Sequence, residues 1–335
     1  MEHATEGIIA GWQAVDSRAG RHSEAMSFDL PLAVGGLLVG VVVGLTGMGG
    51  GALMTPMLVF FFGINPLTAI SSDLVVSLFM KPVGAWVHLR RGTVHVGLVG
   101  WLCVGSIPGA LVGAWSIDLF PTTGVDQALK TILGAALLVS TAGLVTRAFL
   151  QMWRNRLPLG EGPARATRRP EVRIRPLPIV LLGVIAGFMV GLTSVGSGSI
   201  VIVTLLFMFP ALRASQLVGT DLAQAIPLVA AAVAGHLLFG SVSLSVASSL
   251  LVGAIPGAWI GAQISARAPG GLIRRALAVL LLVSGLRLVG APAEWALLSG
   301  AAALVFGTAA WIAIRDRVTR RVASPATVET QAPGP

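Results

Sequence analysis

Two short stretches carry the residue types that could hold an oxyanion. Gly44-Leu45-Thr46-Gly47-Met48-Gly49-Gly50-Gly51 lies between apolar runs at residues 30–43 and 52–62. Gly191-Leu192-Thr193-Ser194-Val195-Gly196-Ser197-Gly198 lies 147 residues further on, again between apolar runs. Glycine lets a solute approach the backbone N–H groups, and hydroxyls add donors. The expected binding set is Thr46, Gly49, Gly50, Gly51, Thr193, Ser194, Gly196, Ser197, Gly198 and Ser199, with Ser72, Thr220 and Lys81 in the segments that follow. Asp73, Asp221, His88 and His236 are the candidates for coupling or gating.

Each candidate also has a plainer reading. The glycines could serve close helix packing, as small residues do in membranes. Asp73 and Asp221 each follow a Ser or Thr and could cap half-helices, although acids inside apolar segments are usually functional. Lys81 has no basic counterpart in the second half, where Val229 stands 148 residues on. It could attract an anion, pair with Asp73 or snorkel to the interface. The histidines sit at equivalent segment ends, which suits an interfacial position or a pH-dependent gate.

The elements that must position these residues are membrane helices. Apolar residues make up 55% of the 335-residue chain and charged ones 11%, against about 25% charged in soluble domains. The net charge of +9 would suggest nucleic acid in a soluble protein. Here the arginines gather between apolar runs, which the positive-inside rule explains, so no nucleic-acid partner is expected. Cys103 is the one cysteine, which excludes an intrachain disulfide and a cysteine metal cluster.

The two halves repeat. Asp73 and Asp221, His88 and His236, and the segments Gly105–Ala110 and Gly253–Ala258 are all 148 residues apart. Both segments contain Gly-x-Ile-Pro-Gly-Ala, read as proline kinks. The expected organisation is an exposed tail (1–29), repeat 1 (30–150), an arginine-rich linker (151–177), repeat 2 (178–290), an extra helix (291–315) and a disordered tail (316–335). Seven arginines place the linker in the cytoplasm. The arginine-poor turns then face outside, and the placements agree only if each glycine-broken stretch returns to the side it entered from. The fold expected is an all-α polytopic membrane protein with two inverted-topology repeats, each a glycine-broken helical hairpin plus three transmembrane helices, and one extra C-terminal helix. The N-terminus lies outside and the C-terminus in the cytoplasm. A half-helix over residues 52–62 spans about 16 Å, roughly half the hydrocarbon. Two such half-helices from opposite faces would bring two positive dipole ends together near the midplane, where an anion is favoured.

These motifs identify a resemblance. Gly-Leu-Thr-Gly-Met-Gly-Gly-Gly with Pro56 downstream, Ser71-Ser72-Asp73, the two Gly-x-Ile-Pro-Gly-Ala segments and the repetition together resemble the sulfite exporter TauE/SafE family, over residues 30–289. The resemblance implies a multi-pass permease of the cell inner membrane, for sulfite, organosulfonates, related sulfur oxyanions or some carboxylates. In the second copy Ser197 stands where the first has Gly50.

The function expected is a secondary transporter of small anions. Its partners are the solute and the lipid bilayer, and a homo-oligomer is compatible with the pattern. No catalytic residue, cofactor or metal is expected, and the chain has no Gly-x-x-x-x-Gly-Lys-Ser/Thr loop for ATP. The alternatives are an anion channel and an intramembrane serine protease using Ser197 and His236.

Overall fold

The computed structural model describes residues 28–46, 50–119, 125–154, 174–210, 212, 214–265 and 270–322, and every regular element among them is helical. The first half holds α1 (Leu30–Thr46), α2 (Gly51–Phe61), α3 (Pro66–Arg90), α4 (Val96–Trp115) and α5 (Val125–Arg154). The second holds α6 (Pro176–Thr193), α7 (Ser197–Met208), α8 (Ala214–Phe239), α9 (Leu244–Ser265) and α10 (Gly270–Leu288), followed by α11 (Ala293–Val322). Six of these helices contain segments long and apolar enough to cross a bilayer: Pro66–Arg90, Val96–Leu119, Val125–Leu150, Pro176–Thr193, Ser215–Phe239 and Leu244–Gly261. The outer surface carries large apolar side chains such as Phe61, Leu238 and Phe306. A water-soluble surface does not tolerate so much exposed hydrocarbon, and lipid does. The chain is a polytopic all-α membrane protein.

Several boundaries differ from the sequence reading. Arg275, one of the arginines read as lying between apolar runs, is inside α10, and His88 and Arg90 form the last turn of α3. The C-terminal helix runs through Val322, beyond the boundary expected at residue 315. The N-terminal tail up to residue 27, the linker interior (155–173) and residues 323–335 lie outside the described residues.

Local chemistry sets the helix starts. Asn65 Oδ1 accepts from Leu67 N at 2.9 Å, and Pro66 occupies the first turn of α3, where its missing N–H costs nothing. Asp29 caps α1 by accepting from Leu32 N at 3.2 Å. Its own N–H donates to Ser249 Oγ on α9.

Glycine fixes the long-range packing. α1 lies on α9, and α6 lies on α4. A Cβ built on Gly36, Gly40, Gly253, Gly257 or Gly261 would come within 3.0 Å of a backbone atom of the facing helix, and so would one on Gly105, Gly109, Gly113, Gly183, Gly187 or Gly191. Backbones therefore touch directly, as in small-residue membrane packing. The contacts climb together: Gly105 meets Val180, Gly109 meets Val184 and Gly113 meets Phe188. α4 and α6 thus run parallel. Gly253, Gly257 and Gly261 climb α1 at Ala33, Leu37 and Val41 in the same way.

Exchanging the halves preserves these pairings. α3 packs on its repeat counterpart α8, and α5 on α10. Ser71 near the start of α3 meets His236 near the end of α8, while Gly84 late in α3 meets Leu222 early in α8. These two helices run antiparallel. Within the first half, α1 and α2 form a hairpin, because Gly35 at the start of α1 faces Met57 and Phe62 at the end of α2.

Candidate functional site

The two glycine-rich breaks meet. At the second, Ser194 adopts a left-handed conformation (φ 60°) and ends α6, and Gly196 (φ 111°) leads into α7. The Gly51 backbone lies directly against Ser194, so closely that a Cβ on Gly51 would collide with the Ser194 carbonyl. Gly50 and Gly51 begin α2. Gly47, Met48 and Gly49 lie outside the described residues, and so does the side chain of Thr46.

A cavity of about 60 Å³ opens where the breaks converge. At roughly 15 Å³ of such space per water, it has room for about four waters, the scale of a small solute. The first turn of α2 (Gly51, Ala52, Leu53) and that of α7 (Ser197, Gly198, Ser199) both line it. Helix geometry gives the earliest N–H groups of each no acceptor within their own helix. Lys81 from α3 and Asp221 from α8 complete the polar wall, with Ser140 from α5. Leu144 and, from α10, Leu277 and Leu281 form an apolar wall.

Lys81 is buried. It stands in the field of two carboxylates, Asp221 and Asp73. Among the described residues its ammonium makes no hydrogen bond or close ion pair. A buried ammonium in that condition has lost its water without gaining a full set of acceptors. Ser140 Oγ is likewise buried with no hydrogen-bond partner.

The acids are placed differently. Asp221 faces the cavity and accepts one long bond, 3.3 Å, from Gln224 Nε2. Gln224 Oε1 in turn accepts from Ser106 Oγ on α4. Asp73 sits behind the meeting point, fully buried. Its Oδ2 accepts from Ser194 Oγ at 2.7 Å and from Thr55 Oγ1 at 3.0 Å, tying the second break to α2. Replacing Ser194 by Ala is expected to cost about 1–2 kcal/mol of stability, since a buried carboxylate loses one charge-assisted donor. The check is a lowered thermal midpoint in detergent.

Of the expected binding residues, Gly51, Ser194, Gly196, Ser197, Gly198, Ser199 and Lys81 line the cavity, as does Asp221. Gly50 lies beside Asp73 and Ser77. Thr193 bonds its own turn, donating to Met189 O at 2.7 Å. Thr220 Oγ1 accepts from His95 N at 3.0 Å, away from the cavity. Ser72 is buried elsewhere. Ser140 and the leucines of α5 and α10 had no place in the sequence reading, although a hydroxyl within the apolar run at 128–150 was a usable signal.

The histidines part company. His88 pairs with Thr93 Oγ1 at 2.9 Å at the end of α3. His236 is buried rather than interfacial. Its Nε2 donates to Gly191 O at 2.6 Å, because a carbonyl only accepts, and its Nδ1 meets Ser71 Oγ at 2.7 Å. Both ring nitrogens are thus occupied, and neither is free to serve Ser197 as a base. Among the described residues no cluster of His, Cys, Asp or Glu could hold a metal ion.

The sulfite exporter TauE/SafE family profile matches residues 32–288, which takes in α1 to α10 and both breaks. The chain belongs to the sulfite exporter TauE/SafE family. A Bacillus subtilis (strain 168) relative named probable membrane transporter protein YjnA is 40% identical over 256 residues, covering 76% of this chain and 97% of the relative. A second from the same organism, probable membrane transporter protein YdhB, is 27% identical over 257 residues, with 75% and 96% coverage. An Arabidopsis thaliana protein named sulfite exporter TauE/SafE family protein 1 is 28% identical over 127 residues, which is 38% of this chain and 28% of that protein. No solved structure matches the chain significantly. The family and these relatives are membrane transporters, not enzymes, so the protease alternative falls away together with the missing Ser197–His236 pair.

Proposed function

We propose that this transporter is a secondary permease for a small anion, bound in the cavity between the two breaks. The observation that carries the reading is the convergence of the α2 and α7 first turns on one cavity beside the Lys81 ammonium. The positive dipole ends of two helices and the Lys81 ammonium face one cavity, an arrangement that offers donors to an oxyanion. Its small volume suits a tetrahedral or pyramidal oxyanion, or a short carboxylate. Sulfite and organosulfonates are the leading candidates on the strength of the family.

The antiparallel course of α3 and α8 supports inverted repeats, and the short α2 and α7 support re-entrant arms that end near the midplane. With the arginine-rich linker in the cytoplasm, the protein sits in the cell inner membrane with its N-terminus outside and its C-terminus inside.

Purified protein in liposomes is expected to exchange at least one member of a panel of sulfite, methanesulfonate, isethionate, taurine, acetate and sulfate, with rates that saturate. Absence of exchange across the whole panel rejects the reading. Flux that rises linearly with concentration would favour a channel.

A further inference from the structure

The two repeat-related acids occupy unlike positions, although they are 148 residues apart in corresponding helices. Asp221 lines the cavity, with one weak partner and with Oδ2 beside Gly198 in the first turn of α7. Asp73 does not reach the cavity and has one oxygen tied to Ser194 and Thr55. The repeat explains the difference. The position matching Ser194 in the first break is Gly47, and the one matching Thr55 is Ile202, so Asp221 has no equivalent hydroxyl pair.

We propose that these aspartates have divided their work: Asp221 carries one proton with each bound monoanion, and Asp73 is a latch between the hairpins that never faces the solute. The inference rests on the permease reading above.

The charges around the cavity make the case. Lys81 and Asp221 are the charged side chains that line the cavity, one of each sign. Counted as ions, these two balance, so the lining of the empty site is neutral. A monoanion entering beside Asp221 leaves one uncompensated negative charge in a low-dielectric interior, which is costly. One proton on Asp221 restores the balance. The proton enters with the anion, sits on the carboxylate as a neutral acid and leaves on the other side, where the carboxylate is regenerated. No net charge crosses.

The other titratable groups near α8 are engaged elsewhere. His88 lies against Gly219 and bonds Thr93, and His95 caps α4 by accepting from Leu98 N. His236, at the far end of α8, is held by Ser71 and Gly191. Among the described residues α6 and α7 contribute no ionisable side chain, and α4 contributes only Cys103, whose thiol contacts Gln224 O.

The test uses labelled methanesulfonate in proteoliposomes, because a sulfonate stays ionised at every working pH and brings no proton of its own. A pH gradient of one unit, alkaline inside, is expected to drive about tenfold accumulation by the wild type at one proton per anion. Clamping the membrane potential at different values should leave that ratio unchanged. Asp221→Asn should lose accumulation while exchange of labelled for unlabelled anion persists at an altered rate. Asp73→Asn should show slower flux and a lower thermal midpoint, with the accumulation ratio kept. A voltage-dependent wild-type ratio overturns the inference, as does accumulation by Asp221→Asn, or its selective loss in Asp73→Asn. If Asp221→Asn does not fold, Asp221→Glu serves: it must keep the ratio and shift the pH profile of flux, and an unshifted profile overturns the assignment. A wild type that exchanges no anion of the panel overturns both this inference and the permease reading.

Discussion

Replacing Lys81 by Met should lower anion affinity by at least about 30-fold. A cation about 4 Å from an anion contributes roughly 4 kcal/mol at an effective dielectric of about 20. Even half of that attraction is more than a tenfold effect, and the site has no second lysine to take over, because the repeat position holds Val229. The substitution also leaves Asp221 as the charged side chain of the cavity lining, with Gln224 as its hydrogen-bond partner. A buried carboxylate that loses a neighbouring cation destabilises the fold, so the single variant mixes two losses. The double variant Lys81→Met with Asp221→Asn separates them. It should regain thermal stability relative to Lys81→Met and remain unable to bind the anion. Binding is read as the thermal shift with methanesulfonate or sulfite. Wild-type shifts retained in Lys81→Met would remove the ammonium from the site.

The second large effect is on folding. Gly187→Leu is expected to abolish the folded protein, a loss of more than about 4 kcal/mol. A Cβ at Gly187 would meet the carbonyl and Cα of Ser106, and a backbone cannot swing aside as a flexible side chain can. Gly253→Leu, against Ala33 of α1, tests the matching seam and should fail in the same way. Gly100→Ala is the control. It lies in α4 with nothing within 4 Å of its Cβ position, so it should be neutral or slightly stabilising. Monodisperse elution in detergent and the thermal midpoint report both outcomes. A well-folded Gly187→Leu protein would mean that the seam is looser than described.

Much of this arrangement was legible in the sequence, and the reasons differ by feature. The broken helices were readable because glycines clustered within an apolar run have few other uses, and α2 starts at Gly51 and α7 just after Gly196. Lys81 was readable as an asymmetry, a lone cation where the repeat supplies valine. The glycines of Gly105–Ala110 were read as part of a kink, yet they are a contact surface for α6. Sequence shows which residues are small but not which helix arrives to use the space. The hydroxyls were the least legible. Ser194 and Thr193 are neighbours of nearly the same chemistry, and one reaches Asp73 while the other bonds back to Met189. Ser and Thr satisfy local backbone or distant partners about equally well, and only the backbone angle at each position decides. Ser194 is directed by its left-handed conformation. The same limit applies to Thr220, which ends on His95 N instead of the cavity.

The glycine seams have a mechanical consequence. Each joins a hairpin arm from one half of the chain to a long helix from the other, α1 to α9 and α6 to α4, with carbonyls in contact and no side-chain layer to shear. Sliding along such a seam would break every contact at once, so each pair travels as a single beam. Whatever rearrangement lets a solute in or out must pivot between beams that both gene-order halves have built jointly, and a boundary drawn at the linker would cut straight through them.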